Sequence, residues 1–335
     1  MEGSQSIART PQRLTWLVVL ATCAALLSPL TIQAQDATFT ASAAIESAVT
    51  WLISQQADDG GFLGFSGESD AAVTADAVIA LAAAKNAGVD VKLDSVLVYL
   101  RENALVFAQT GPGQAAKLVL AMVAAGGDPT DIEGVNPLSL VEAGSKSESG
   151  IIGFGPFDHS LGILALVATG TDVPDTAIEA LRATQIEDGS WAFDGGIAVG
   201  AGDTNTTAVA IQALVAAGLG DDPMVSKALD YLKSTQVESG GFPYQPGLAP
   251  NGDANSTAVV VQALIAAGQD ATSSEWNDAA AALTAFQNDS GAFRYTDDQP
   301  DDNLFATLQA IPAIAGQAYP ITAGLDADDA TPIAA

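Results

Sequence analysis

The chain alternates between two kinds of hydrophobic segment. The first is apolar almost all round. Its clearest copies are Asp203-Thr-Asn-Thr-Thr-Ala-Val-Ala-Ile-Gln-Ala-Leu-Val-Ala-Ala-Gly218 and Asp253-Ala-Asn-Ser-Thr-Ala-Val-Val-Val-Gln-Ala-Leu-Ile-Ala-Ala-Gly268. Each predicts one complete helix: the Asp carboxylate accepts from the free N–H groups of the first turn, and Gly takes the left-handed conformation that ends it. With so little polar surface between those ends, such a helix is expected to be buried on more than one side. The same pattern closes at Gly88, Gly126, Gly170 and Gly316. The closing glycines lie roughly 40–50 residues apart, a period typical of repeat arrays.

The second kind precedes each of these and is amphipathic. Ile45, Val49, Leu52 and Ile53 form one stripe; Val96, Leu97, Leu100 and Leu105 are read as another. A weaker one surrounds Leu138 and Val141, and others run through Ile178 and Leu181, through Val225, Leu229 and Leu232, and through Trp276, Ala280 and Leu283. One face of each is charged or polar, so these helices face solvent.

Between the two helices lies a loop with its own signature: Gln56-Ala-Asp-Asp-Gly-Gly-Phe62, Gln185-Ile-Glu-Asp-Gly-Ser-Trp191, Gln236-Val-Glu-Ser-Gly-Gly-Phe242 and Gln287-Asn-Asp-Ser-Gly-Ala-Phe293. A second aromatic follows in three of them, as Phe193, Tyr244 and Tyr295. The third unit keeps a variant, Gly150-Ile-Ile-Gly-Phe-Gly-Pro-Phe157, and the second only Gln109-Thr-Gly-Pro-Gly113. Gly permits a tight turn and Asp and Ser supply turn bonds. An inner helix buried on both sides needs neighbours left and right plus an outer partner. A closed ring of pairs supplies all three without end caps. The predicted fold is therefore all-α, a single (α/α)6 toroid of six helix-pair repeats over residues 35–320.

The N-terminus adds a leader. Arg9 and Arg13 precede an apolar run from Leu14 to Leu30, and Ile32-Gln33-Ala34 resembles a signal-peptidase site, so residues 1–34 read as a signal peptide and the protein as secreted or cell-surface. No transmembrane segment is expected in the mature chain. Residues 321–335 read as a disordered acidic Ala/Asp/Thr/Pro tail. Cys23 is the only cysteine and falls within the leader, which leaves no disulfide, thiolate metal site or cysteine nucleophile. The 40 acidic against 11 basic residues give a net charge of −29, a surface that repels phosphate backbones and excludes nucleic acid as a partner.

Placing the inner helices on a common frame by their closing Gly aligns Asp203-Thr-Asn205, Asp253-Ala-Asn255 and Asp301-Asp-Asn303, with Asp70 in the same column. Thr74, Thr207 and Thr257 form another column, where the third unit has His159. Asn205, Ala208, Gln212 and Ala216 share a helix face, as do Asn255, Ala258, Gln262 and Ala266. This small, amide-bearing stripe is expected to line a central cavity, since a buried amide needs a partner. The expected cavity mouth comprises Asp70, Thr74, His159, Asp203, Asn205, Asp253, Asn255, Asp301 and Asn303, with Gln212 and Gln262 on the wall. Asp caps need no further role, whereas Asn in a first turn has no general helical reason to recur.

The Gln-x3-Gly-x-Trp/Phe loops resemble the glutamine–aromatic repeats of triterpene cyclases. The pattern over about residues 40–320 is similar to the α/α toroid superfamily, which includes those cyclases, protein prenyltransferase β-subunits and cobalamin carriers. The resemblance implies a toroid whose inner-helix N-termini ring a cavity, with the loops bracing adjacent units. It also implies what is missing. The cyclase acid motif Asp-x-Asp-Asp-Thr-Ala is replaced by Asp203-Thr-Asn205-Thr-Thr-Ala and Asp253-Ala-Asn255-Ser-Thr-Ala, putting an amide where the proton donor would stand. The zinc site of prenyltransferases cannot be assembled without Cys and with one His.

The expected function is an exported, non-catalytic toroid that binds a small or amphipathic ligand, corrinoid or terpenoid-like, with no resident cofactor or metal. Any lid or anchor would come from another chain. The alternatives are a secreted terpenoid-cyclase-like or carbohydrate-active (α/α)6 enzyme and, third, a structural cell-surface repeat. N-terminal sequencing of the exported protein should read from Gln35; an intact leader on the exported chain would refute the processing site.

Overall fold

In the computed structural model of the chain, residues 31–324 are described, with side chains from residue 43 onward. The leader through residue 30, Cys23 among it, and residues 325–335 lie outside them, so the signal-peptide and disordered-tail expectations rest on sequence.

Outer and inner helices alternate. The outer set is α1 (Thr31–Ser54), then α3 (Asp94–Glu102) with α4 (Ala104–Thr110), α6 (Pro137–Ser145), α8 (Asp175–Ala183), α10 (Pro223–Thr235), and the pair formed by a 3-10 turn at Ser274–Trp276 and α12 (Ala279–Thr284). The inner set is α2 (Ala71–Asn86), α5 (Pro112–Ala124), α7 (Pro156–Ala168), α9 (Thr204–Ala216), α11 (Ala254–Ala266) and α13 (Leu304–Ile314). Each inner helix packs against the next in this order, and α13 packs against α2. The ring is closed and the fold is an all-α toroid. Two short antiparallel ribbons decorate the loop face: β1 (Phe62–Leu63) with β2 (Ser69–Asp70), and β3 (Phe293–Thr296) with β4 (Gln299–Asn303).

The inner helices form where sequence predicts. Asp203 caps α9 by accepting from the Thr206 N–H, and Asp253 caps α11 through Ser256. Gly88, Gly126, Gly170, Gly218, Gly268 and Gly316 all have positive φ. At the end of α9 the Leu219 N–H reaches back to the Leu214 carbonyl, which satisfies an otherwise orphaned acceptor. Alanines at 208, 210, 213, 258 and 263 are fully buried; small side chains there let neighbouring helices of the ring approach closely. In α5 and α7, Pro112 and Pro156 open the helix in place of an Asp cap, a position where the missing N–H costs nothing.

Three expectations need correction. The stripe read through Leu105 is two helices, broken at Asn103, and Leu105 is exposed. Counting back from Gly316 misplaces the sixth unit by two residues, because α13 is shorter than α9 and α11. Its cap is Asn303, which accepts from the Ala306 N–H, while Asp301 is exposed on β4. The packed body also continues past residue 320. Ile321 is buried, and the Thr322 carbonyl accepts from the Asn86 amide.

The Gln-x3-Gly loops are joints between units. In the four full loops the Gln amide donates to the carbonyl of its own turn glycine: Gln56 to Gly60, Gln185 to Gly189, Gln236 to Gly240 and Gln287 to Gly291. It also reaches the next outer layer. Gln185 donates to the Met224 carbonyl, Gln236 to that of Trp276, and Gln287 to that of Ala44 on α1, while the Gln56 oxygen accepts from Ser95. The last unit is thus tied to the first by the same contact. These glycines have positive φ, and a Cβ on them would overlap the carbonyl oxygens of Ser95, Lys227, Asn277 and Ser47. Gly218 instead faces open space. G218A should cost only left-handed strain, about 1–2 kcal/mol, and G240A distinctly more; equal losses in urea unfolding would contradict the joint.

Candidate functional site

The first aromatic of each full loop is a structural plug. Phe62, Trp191, Phe242 and Phe293 are completely buried. Their backbone N–H groups donate to the hydroxyls of Thr74, Thr207, Thr257 and Thr307 at 2.8–3.0 Å. Each hydroxyl in turn donates a hydrogen bond one turn back, to the carbonyl of Asp70, Asp203, Asp253 or Asn303. His159 replaces the threonine in the third unit. Its Nδ1 accepts from the Ile152 N–H at 3.0 Å and its Nε2 donates to the Ala177 carbonyl at 2.8 Å. Burial holds its pKa below the usual value, and both contacts fit the neutral ring. Thr74 and His159 therefore sit inside the joints and not at the mouth.

The aspartates also divide. Asp203 is buried and accepts from the Thr206 N–H and hydroxyl and from the Phe193 N–H. Asp253 does the same with Ser256 and the Tyr244 N–H. Burial raises both carboxyls, against the lowering effect of these bonds. The Tyr244 phenol is pushed up to about 12, by burial first and then by the charge of Asp203. Asp70 is exposed, caps α2, and borders a separate crevice with Tyr99, Asn103 and Gln114.

Asn205, Asp253, Asn255 and Asn303 do come together, at a mouth of about 350 Å³ walled by Phe65, Phe305, Tyr244 and Tyr295. Phe65, 94% exposed, stacks on Phe305 with ring centres 4.4 Å apart. Below the mouth lies the lumen, about 110 Å³, and Asn205 and Gln309 border both. Its walls include Phe157, Leu161, Val209, Val259, Leu308 and Pro312. Ala208 and Ala258, expected on this wall, are instead packed between helices without exposure. Across the lumen Lys117 pairs with Asp76 at 2.9 Å.

The carboxamides differ in state. Gln212 is occupied: its oxygen accepts from the Tyr319 N–H at 2.9 Å. Gln262, nearly fully buried, donates to the Gln309 carbonyl, but its own oxygen has no protein partner. The side-chain oxygens of Asn205 and Gln309 are also without one. Such atoms carry a desolvation cost that a ligand or water donor would relieve.

Sequence reading missed Phe65, Phe305, Asp76, Lys117, Gln309 and Tyr319. Asp76 and Lys117 had a visible signal, as charges inside otherwise apolar inner helices. Gln309 and Phe305 follow once α13 is counted from Asn303: they then share positions with Val209 and Asn205. Among the described residues no group of three or more His, Cys, Asp or Glu is placed to hold a metal ion, and no helix is long and apolar enough to cross a membrane.

Residues 4–114 and 221–315 match the prenyltransferase alpha-alpha toroid domain. No curated protein matches the chain. Solved structures with the same fold include the type II terpene cyclase MstE from Scytonema, 18% identical over 82% of this chain and 97% of that one, TM-score 0.58. The GH76A alpha-1,6-mannanase from Salegentibacter sp. HEL1_6 is 11% identical over 82% and 97%, TM-score 0.61. An unsaturated glucuronyl hydrolase specific for heparin is 10% identical over 83% and 96%, TM-score 0.61. At these identities the likeness is one of fold.

The joint role of His159 is testable. H159A should lower stability by about 1–3 kcal/mol, by orphaning the buried Ile152 N–H. A residue serving only as a mouth ligand would leave the unfolding midpoint where it was.

Proposed function

The chain belongs to the prenyltransferase alpha-alpha toroid family, and on that premise we propose that it binds a small amphipathic, terpenoid-like molecule without reacting it. The ligand's hydrogen-bond donor sits at the throat, and its slim apolar part lies in the lumen. The observation that carries this reading is the throat itself. Asn205 and Gln309 stand where mouth and lumen meet, and each has a carboxamide oxygen without a partner. A hydroxyl donor there, met by a turn of the carboxamide toward the cavity, satisfies a buried acceptor that the fold leaves without a partner, while Val209, Val259 and Leu308 favour an apolar tail.

A lumen of about 110 Å³ favours a slim chain over a corrin ring, so a corrinoid would be confined to the mouth. Export through residues 1–34, and a lid or anchor on a second chain, belong to the same proposal. The absence of chemistry is supported by the state of the acids. Asp203 and Asp253 are engaged as caps, and Asp76 is paired with Lys117. None is placed as the strong, unpaired acid that alkene protonation needs. A carbohydrate-active reading draws on the mouth aromatics and amides, but glycoside hydrolysis asks for two free carboxyls flanking one bond.

The test is native mass spectrometry and calorimetric titration of the mature protein with geraniol, alongside N205A/Q309A. Wild type should bind, and the double variant should bind about five- to a hundredfold more weakly, the loss expected for a buried hydrogen bond. The variant's unliganded unfolding midpoint should not fall, because the deleted oxygens have no partner to lose. Unchanged affinity in the variant, or no binding by wild type, would overturn the reading.

A further inference from the structure

One level of the lumen is set by the same position in every inner helix. Counted from its cap, the sixth residue is Asp76 in α2, Lys117 in α5, Leu161 in α7, Val209 in α9, Val259 in α11 and Gln309 in α13. All six border the lumen. Each inner helix packs against the next, and α13 against α2, so the six form a collar in that order. Leu161, Val209 and Val259 are consecutive in it, and so are Gln309, Asp76 and Lys117. At this level the wall is hydrocarbon along one arc and polar along the other.

Stability does not account for the polar arc. Leu161, Val209 and Val259 show that the ring accepts apolar side chains here, and replacing a buried ion pair by well-packed hydrocarbon is often neutral or stabilising. Nor does the pair exhaust its own hydrogen-bonding groups. Lys117 Nζ donates to Asp76 Oδ2 at 2.9 Å, and the two side chains stay 24% and 27% exposed. Among the described residues Nζ has no second acceptor and Asp76 Oδ1 has no donor. The Gln309 side-chain oxygen, next in the collar, is also without a partner. A ligand of hydrocarbon alone would strip water from both ions and replace none of its hydrogen bonds. A hydroxyl suits the place. Its oxygen accepts from Nζ and its hydrogen goes to Oδ1, which leaves the pair intact and meets both unused groups.

We propose that the Asp76–Lys117 pair is a second polar subsite and that the ligand is a compact terpenoid diol, with one hydroxyl at the throat and the other bridging Lys117 and Asp76. This rests on the binding reading above and adds a second oxygen to it. Asn205 is the second residue after its cap and the collar is the sixth, so the two hydroxyls stand about 6 Å apart along the axis. The hydrocarbon between them lies against Leu161, Val209 and Val259.

The experiment is calorimetric titration with terpin, a monoterpenoid diol whose hydroxyls lie at opposite ends of its skeleton, and with α-terpineol, which keeps the side-chain hydroxyl and lacks the ring one. Geraniol serves as the reference ligand. Wild type should bind terpin at least tenfold more tightly than α-terpineol, the gain expected from hydrogen bonds to charged groups. D76V/K117L places at this level the residues that α9 and α7 already carry. It should bind α-terpineol more tightly than wild type does and terpin more weakly. If it does not fold, D76N/K117M, neutral and closer in shape, should lower the preference for terpin at least threefold. Equal affinity of wild type for the two cyclic ligands, binding of geraniol alone, or a preference that survives in a folded variant overturns the subsite and leaves the binding reading standing. Failure of wild type to bind any of the three removes both.

Discussion

Everything in this ring depends on a carboxamide that serves two units at once. In each full loop the Gln side chain closes its own turn on a glycine carbonyl. In three of the four its amide also donates to the next outer helix or turn, and in the first its oxygen is used instead. The glycine is required twice over, by its positive φ and by the carbonyl of the neighbouring unit that fills the place of a Cβ. Because Gln287 makes this contact to Ala44, the array has no terminal unit to cap. A solenoid solves the exposed-end problem with polar end repeats; this chain solves it by meeting itself.

The joints also fix what the mouth can be. The loop residue that plugs each joint is buried and hydrogen-bonded through its backbone N–H: an aromatic to a threonine in the four full loops, and Ile152 to His159 in the third unit. The second aromatic is left to lean over the preceding unit. The Tyr244 N–H donates to Asp253 and its carbonyl accepts from the Thr204 N–H, which brings its ring over the mouth beside Asn205. The side chains that brace the barrel are therefore set apart from those that border its cavity, though they are one or two residues apart in sequence.

The fold was legible because its signals are local and repeated. An Asp cap, a wholly apolar run and a closing Gly are each readable without knowing any neighbour. The site was less so. Counting from the closing Gly assumes helices of equal length, and α13 breaks that assumption. This exchanged Asp301 for Asn303 as the cap and hid Phe305 and Gln309. Choosing the stripe through Ala208 placed a packing face on the lumen, where Val209 stands. The threonine column was found but misread, since sequence shows the hydroxyl and not the distant N–H that occupies it. Tyr319 could not have been found by periodicity, because it lies in no helix.

The lumen wall has a chemistry that its backbone symmetry does not share. Its amides Asn205, Gln262 and Gln309, with Asn255 and Asn303 at the mouth above, all come from α9, α11, α13 and the cap of α13. The other half offers Ile79, Phe157 and Leu161 beside the Asp76–Lys117 pair. Six near-equivalent staves thus make a barrel that is two-faced inside. A guest within it would have no freedom to spin about the axis at equal energy: one edge would meet amides and the other an ion pair, with hydrocarbon on both sides. Handedness in the guest would then be discriminated by the wall itself, with no lid required.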